Sequence, residues 1–297
     1  MQRRNFLWYS SLFVAGCTAG VNPINSDSDK SQLTKPEKLK LAVTDVSGIE
    51  ELQRDFEKFR AALEEVLGIK IEFFPVKNYT AAAPALQSGQ VDIVFSGPSE
   101  YLVLASRAQA IPIVAIQRVN YHSIFVVRAD SKIKSLSQLK GKTIAMRAVG
   151  STSGHLAPTK LLIDAGLDPN TDVKILMLKD QGVQALKKGE VDAWATASDR
   201  YKNILESEGL SEKDFTVIVT SPLLPNDLFV ANNKLAPDFI TDMRSQMLKH
   251  QDKLIQSILT AKANQKYQRS KLVAANDADY NMIREVYQKI GQGNFIS

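Results

Sequence analysis

"TIAMRAVGSTSGHLAPTKLLIDAG", residues Thr143 to Gly166, reads in three parts. The apolar run Thr143 to Met146 has the length and composition of a buried strand. Gly150 and Gly154 then bracket three hydroxyl side chains, Ser151, Thr152 and Ser153. From Ser153 to Ala165 the apolar residues Leu156, Leu161 and Leu162 recur at helical spacing. Strand, small-residue turn and helix make one α/β unit, with the hydroxyls at the helix start. First-turn N–H groups have no intrahelical partner, and the macrodipole adds roughly half a positive charge there, so this start suits an oxyanion. Gly150 and Gly154 let the backbone approach a ligand closely. The same hydroxyls also suit an ordinary N-cap, and spacing alone leaves both readings open.

The alternation continues outward in both directions. Strands are expected at Leu39–Val46, Lys70–Val76 and Val91–Phe95, with helices at Glu50–Leu67, Tyr79–Gly89 and Pro98–Arg107. A long strand-rich passage, Ile111 to Arg128, follows. Beyond the opening stretch come strands at Val173–Leu178, Asp192–Thr196 and Phe215–Thr220, with helices at Gln181–Lys188 and Asp199–Glu208. The chain then turns through Pro222, Pro225 and Asn226-Asp227 into a strand at Leu228–Ala231, and closes with helices near Pro237–Lys262 and Asp277–Ile290. The pattern predicts an α/β protein of two lobes, 38–128 plus 222–297 and 129–221. Two crossings between such lobes make a cleft that shuts by hinge motion.

The start of the chain carries Arg3 and Arg4, an apolar run from Phe6 to Ala15, and Val14-Ala15-Gly16-Cys17. The run is short of the ~20 residues a membrane span needs, so residues 1–16 read as a signal peptide. Val-Ala-Gly-Cys resembles a bacterial lipobox, with Cys17 as the lipidated residue. Arg3-Arg4-Asn5-Phe6-Leu7 also resembles a twin-arginine export signal. Residues 17–37 are polar and turn-rich and read as a flexible tether with a reach on the order of 25 Å. Cys17 is the only cysteine, which excludes an internal disulfide. The formal charge of +5 is scattered among acidic residues with no basic run, so neither nucleic acid nor an electrostatic membrane patch is indicated.

Common catalytic and metal signatures are absent. His122, His155 and His250 are far apart and supply no zinc motif. Gly141-Lys142-Thr143 ends like a P-loop, but Leu136 stands where its first glycine belongs. No Gly-x-Ser-x-Gly elbow occurs. The expectation is a binding protein with no cofactor, no metal and no enzymatic step.

Several motifs in order resemble the phosphonate and phosphite-binding proteins of bacterial ABC importers. They are Val91-Asp92-Ile93 with Gly97-Pro98 and Tyr101, Tyr121-His122-Ser123, and Leu136-Ser137-Gln138-Leu139-Lys140-Gly141-Lys142. Ser151-Thr152-Ser153-Gly154 with Pro158, Gly189-Glu190-Val191-Asp192-Ala193, and Ser221-Pro222 through Pro225-Asn226-Asp227 complete the set. The resemblance runs from about Leu39 to the end. It implies a two-lobe periplasmic-binding-protein fold, type II-like, closing on a phosphorus oxyanion held by Ser151, Thr152 and Ser153.

On the same resemblance Tyr121 closes over the anion, and Asp227 accepts a P–OH, rejecting sulfate, or pairs with a ligand amine. A turn cap is the plainer role for Asp227. Where the family carries His-Asp, this chain has Lys179-Asp180, so Lys179 meets the anion as a point charge, or His155 supplies an imidazole instead. Asp199 or Tyr201 corresponds to a second acidic position, and Tyr79 and Tyr101 read as cleft-wall or packing residues. The implied partners are an ABC permease and ATPase, with the monomeric protein held by lipid at the outer face of the cytoplasmic membrane. Two alternatives stand beside this: another small oxyanion, phosphate or sulfonate, as ligand, or a sensing lipoprotein that feeds a receptor.

Overall fold

The computed structural model describes residues 35–46, 48–77 and 81–296. The signal segment, Cys17, most of the tether and Tyr79 lie outside the described residues. In chain order the first passage runs β1 (Lys38–Val43), α1 (Ile49–Leu67), β2 (Lys70–Phe73), α2 (Ala82–Ser88), β3 (Ile93–Ser96), α3 (Pro98–Ala108) and β4 (Ile111–Ile116). After a crossing come β5 (Ser123–Arg128), β6 (Thr143–Met146), α4 (Ala157–Asp164), β7 (Lys174–Met177), α5 (Gly182–Lys188), β8 (Ala193–Ala197), α6 (Ser198–Ser207) and β9 (Phe215–Thr220). The chain returns through β10 (Asp227–Ala231), α7 (Pro237–Lys249), α8 (Gln251–Ile258), β11 (Leu272–Ala274) and α9 (Asn281–Lys289).

Two separate sheets result, ordered β11-β4-β10-β3-β1-β2 and β7-β6-β8-β5-β9. β1 is parallel to β2 and β3, while β10 runs antiparallel to β3 and β4. In the second sheet β6 is parallel to β7 and β8, while β5 runs antiparallel to β8 and β9. Each strand that follows a crossing thus inserts antiparallel into a parallel core. The architecture is the expected two-lobe α/β fold.

One boundary is corrected. The sequence places Ile111 to Arg128 in the first lobe, but Ser123–Arg128 pairs with β8 and β9, so the first crossing is residues 117–122 and the second lobe begins at β5. β4 and β5 are both buried on two faces and read as one apolar passage. The break is marked by Arg118 and by Asn120, whose φ is +65°.

Local causes are visible in α1. Leu52, Phe56, Phe59, Leu63 and Leu67 recur every three or four residues and are all buried. Gly68, in the left-handed conformation, stops the helix, and its N–H donates to the Glu64 carbonyl at 2.9 Å. The apolar face meets Phe95 and Phe229, which stack with centroids 4.2 Å apart, and Met243 of α7. On the other face of this sheet α2, α3 and α9 cover Val94, Leu228 and Val230. Leu156 and Ala157 of the second lobe belong to this same buried cluster. The start of α4 is therefore packed into the neighbouring lobe.

Candidate functional site

A cavity of about 190 Å³ lies between the lobes. From the first lobe it is lined by Thr44 and Asp45 just past β1, by Ser96 and Gly97 at the end of β3, and by Glu100 in the first turn of α3. From the second it is lined by Arg147 past β6, by Ser151 to Gly154, and by Asp180 and Arg200. Arg118, Tyr121 and Asp227 reach it from the crossings, and Lys266 and Tyr267 from the turn after α8. The lining gathers at the carboxyl ends of parallel strands, where open α/β sheets bind ligands.

The Ser151 turn is built more tightly than a simple helix start. Gly150, at φ +87°, turns the chain out of β6. Ser151 then caps the turn, its hydroxyl accepting from the Gly154 N–H at 3.3 Å. The N–H groups of His155 and Leu156 both donate to the Ser151 carbonyl at 3.0 Å, which widens Thr152–Leu156 into a π-turn ahead of α4. A helix from Ser153 onward is thereby corrected to a π-turn followed by α4, and such turns recur at functional sites. Gly154 is obligatory: a Cβ there would stand 2.5 Å from Arg147 Cβ.

Opposite this turn stand two orphan hydroxyls. Thr44 Oγ1 and Ser96 Oγ are buried, with both residues 2% exposed, and neither has a hydrogen-bond partner among the described residues. Leaving such a group unsatisfied costs about 1 to 3 kcal/mol each. Both line the cavity, so a ligand oxygen there recovers that cost. Hydroxyls from the first lobe and the Ser151–Gly154 turn of the second line one cavity.

Around them the charges are interleaved. Arg118 makes a bidentate pair with Asp199 at 2.8 Å on both bonds, stands 3.4 Å from Asp227, and lies 3.3 Å over the Tyr121 ring. Burial alone would lower the Arg118 pKa, but Asp199 and Asp227 hold it well above the usual value. Tyr267 donates its hydroxyl to Asp227 at 2.6 Å. Arg147 links Asp45 of the first lobe to Asp180 of the second, at 2.9 Å each. Lys266 meets Asp45 at 3.0 Å, and Arg200 meets Asp180 at 3.2 Å. Because every cation in this set is matched by a carboxylate, oriented donors rather than surplus charge are what the cavity offers an anion.

Of the residues expected at the site, Ser151, Thr152, Ser153, Tyr121 and Asp227 line the cavity. The Thr152 hydroxyl, however, faces α3: it accepts from the Ser99 N–H at 3.1 Å and lies 2.7 Å from Ser99 Oγ. Three other assignments are corrected, and Tyr101 falls to one of its two expected roles. Lys179 is exposed and outside the lining, because its φ of +51° turns the side chain out and brings Asp180 in. His155 is buried behind the turn, where Nδ1 accepts from the Gly150 N–H at 3.2 Å and burial lowers its pKa. Asp199 is spent on Arg118 behind the lining. Tyr101 is a packing residue, its hydroxyl donating to Asp277 at 2.6 Å and its ring meeting Tyr280 edge-on.

Sequence reasoning passed over Thr44, Asp45, Ser96, Glu100, Arg118, Arg200 and Lys266. Two signals were available. Thr44 and Ser96 directly follow the apolar runs of parallel strands, and Arg118 interrupts an otherwise apolar passage.

Comparison with known proteins places this geometry in context. The family model described as "ABC transporter, phosphonate, periplasmic substrate-binding protein" matches residues 42–280. The phosphate-import protein PhnD of Mycolicibacterium smegmatis is 27% identical over 252 residues, covering 78% of each chain. The phosphonates-binding periplasmic protein of Escherichia coli is 24% identical over 208 residues, 67% of this chain and 62% of that one. Among solved structures, PhnD1 from Prochlorococcus marinus in complex with methylphosphonate superposes with a TM-score of 0.70 at 22% identity, covering 87% of this chain and 100% of that one. The match along most of the folded body, on a cleft between two α/β lobes, makes the chain a member of the phosphonate family of periplasmic substrate-binding proteins of ABC transporters.

Proposed function

We propose that this chain captures a small phosphorus oxyanion, phosphonate or phosphite, in the interlobe cavity and delivers it to an importer while held at the membrane by lipid on Cys17. As a periplasmic binding component it works with permease and ATPase subunits and is not an enzyme. The observation that carries the ligand reading is the pair of orphan hydroxyls, Thr44 Oγ1 and Ser96 Oγ, buried opposite the Ser151–Gly154 turn. Two hydroxyl donors and the Thr152 and Ser153 N–H groups at the head of that turn suit a tetrahedral oxyanion with several oxygens. If four or five such bonds each contribute about 1.5 to 3 kcal/mol, the gross gain supports micromolar or tighter binding after ordering costs.

Asp227 supplies the discrimination. It lines the cavity, accepts from Tyr267 and faces Arg118, and its remaining acceptor capacity suits a ligand P–OH. Sulfate at neutral pH has no such proton and meets a carboxylate. Isothermal titration against phosphite, methylphosphonate, 2-aminoethylphosphonate, phosphate and sulfate tests the reading. Saturable binding of phosphite or a phosphonate with sulfate silent is the expected result; phosphate or sulfate binding best would overturn it. Mass spectrometry of the mature N-terminus decides the lipid at Cys17.

A further inference from the structure

The Ser99 hydroxyl stands at a junction between the lobes. Its oxygen lies 2.6 Å from the Gly150 carbonyl oxygen, 2.7 Å from Thr152 Oγ1 and 2.8 Å from Glu100 Oε2. Gly150 and Thr152 belong to the ligand-facing turn of the second lobe, whereas Ser99 and Glu100 sit in the first turn of α3 in the first lobe. A hydroxyl has one proton to give and lone pairs for two donors. The carbonyl is an acceptor only, and at 2.6 Å it requires the Ser99 proton. The bonds to Thr152 and Glu100 must then run toward Ser99. Thr152 Oγ1 already accepts from the Ser99 N–H, so its own proton is available. Glu100 can donate only if its carboxyl is protonated.

From this junction we propose that Glu100 is a proton-linked positioning residue: closure of the cleft takes up a proton at Glu100, which then holds Ser99 against the Gly150 carbonyl across the cleft. The proposal rests on the reading that this cleft closes around an oxyanion. In the open cleft Gly150 is no longer beside Ser99, the Ser99 proton is free to serve the carboxylate, and Glu100 ionises.

The surroundings agree with this assignment. Glu100 is buried and lines the cavity, and its carboxyl folds back over Gly97, where an added Cβ would stand 2.7 Å from Oε2. Burial pushes its pKa up to about 8, against the pull of Ser99 and of its own N–H, and Asp45 and Asp227 push in the same direction. Arg54, Asp55, Arg118, Tyr121, Arg147, Asp180, Arg200, Lys266 and Tyr267 are further charged and titratable groups of the same cavity, and Tyr287 of α9 lies against this turn, its hydroxyl donating to the Ser99 carbonyl at 3.3 Å. A closed state that holds a proton the open state releases is favoured below the closed-state value, and its advantage is lost as pH rises toward about 8.

The test is calorimetric titration of the purified protein with methylphosphonate from pH 6 to 9, in two buffers of different ionisation enthalpy, for the wild type and Glu100→Gln. The ligand's own titration contributes equally to both and cancels. At pH 7 the wild type should take up more protons per ligand than the variant, up to one, in proportion to the open fraction of the ligand-free protein. Its affinity should fall more steeply, by up to about tenfold per pH unit, until the slope disappears above pH ~8. If Glu100→Gln fails to fold, the infrared difference spectrum of the wild type on binding decides, through the carbonyl stretch of a newly protonated carboxyl. Binding with equal proton counts and parallel pH profiles, or with no such stretch, overturns the proposal and leaves the receptor reading intact. Binding of none of the five oxyanions overturns the receptor reading, and the coupling falls with it.

Discussion

Thr44 and Ser96 separate binding from stability more cleanly than the Ser151 turn does. Their hydroxyls are buried without partners among the described residues, so Thr44→Val or Ser96→Ala removes no hydrogen bond seen within the protein. Each variant should melt at or slightly above the wild-type temperature and bind its oxyanion about tenfold or more weakly, as expected for losing one hydrogen bond to a charged group. Paired thermal melts and titration calorimetry check this; unchanged affinity in either variant removes that hydroxyl from the site. Asp199 sits at the opposite extreme. Its carboxylate satisfies two guanidinium bonds of Arg118 in a nearly solvent-free setting. Asp199→Asn leaves the Arg118 charge underpaired, and denaturant unfolding should show a loss of about 3 to 5 kcal/mol. Lys179→Ala should change neither quantity, since its side chain is exposed and outside the lining.

At the scale of elements, the turn that leads into α4 belongs to one lobe by sequence and to both by packing. Leu156 is fully buried and, with Ala157, sits in the first lobe's cluster with Tyr280, Ile283 and Val286. Leu156→Ala should therefore cost about 2 to 5 kcal/mol of stability and weaken ligand binding as well, because the same residue anchors the turn. Chemical denaturation together with calorimetry reads both effects. This double membership also explains what the sequence revealed and what it withheld. Strand, turn and helix around Ser151 were legible because glycine, hydroxyls and apolar spacing are local signals. Tyr121 and Asp227, singled out by the family motifs, line the interlobe cavity. What escaped depends on the third dimension. No periodicity tells that Thr152 answers Ser99 on another lobe, or that one left-handed residue at Lys179 exchanges a lysine for Asp180 in the lining. His155 and Tyr101 have the chemistry of ligands and are used for backbone and packing instead.

Across the whole molecule, Asp164 of α4 meets Lys289 of α9 between the lobes, and at the cleft Asp45 is a second carboxylate through which they attract each other. It follows β1 of the first lobe, where Lys266 meets it at 3.0 Å, and it receives Arg147 from the second lobe at 2.9 Å, with Arg200 at 4.0 Å. The pair with Arg147 is partly solvated, so each bond contributes only on the order of 1 kcal/mol and is screened by salt. Together with Ser99 and Leu156 these bonds bias the ligand-free cleft toward closure. Asp45→Asn should shift that balance toward open, seen as a larger radius of gyration in small-angle scattering of the ligand-free protein, with the ligand-saturated value unchanged. High salt, about 0.5 M, should move the wild type in the same direction. Affinity is expected to change by less than about tenfold, because two effects oppose. A smaller closed fraction weakens apparent binding in proportion. Releasing Arg147 and Arg200 from a carboxylate leaves them freer to attract an anion. A radius of gyration that ignores both the substitution and salt would mean that the buried contacts of Ser99 and Leu156, not the charges, set the angle between the lobes.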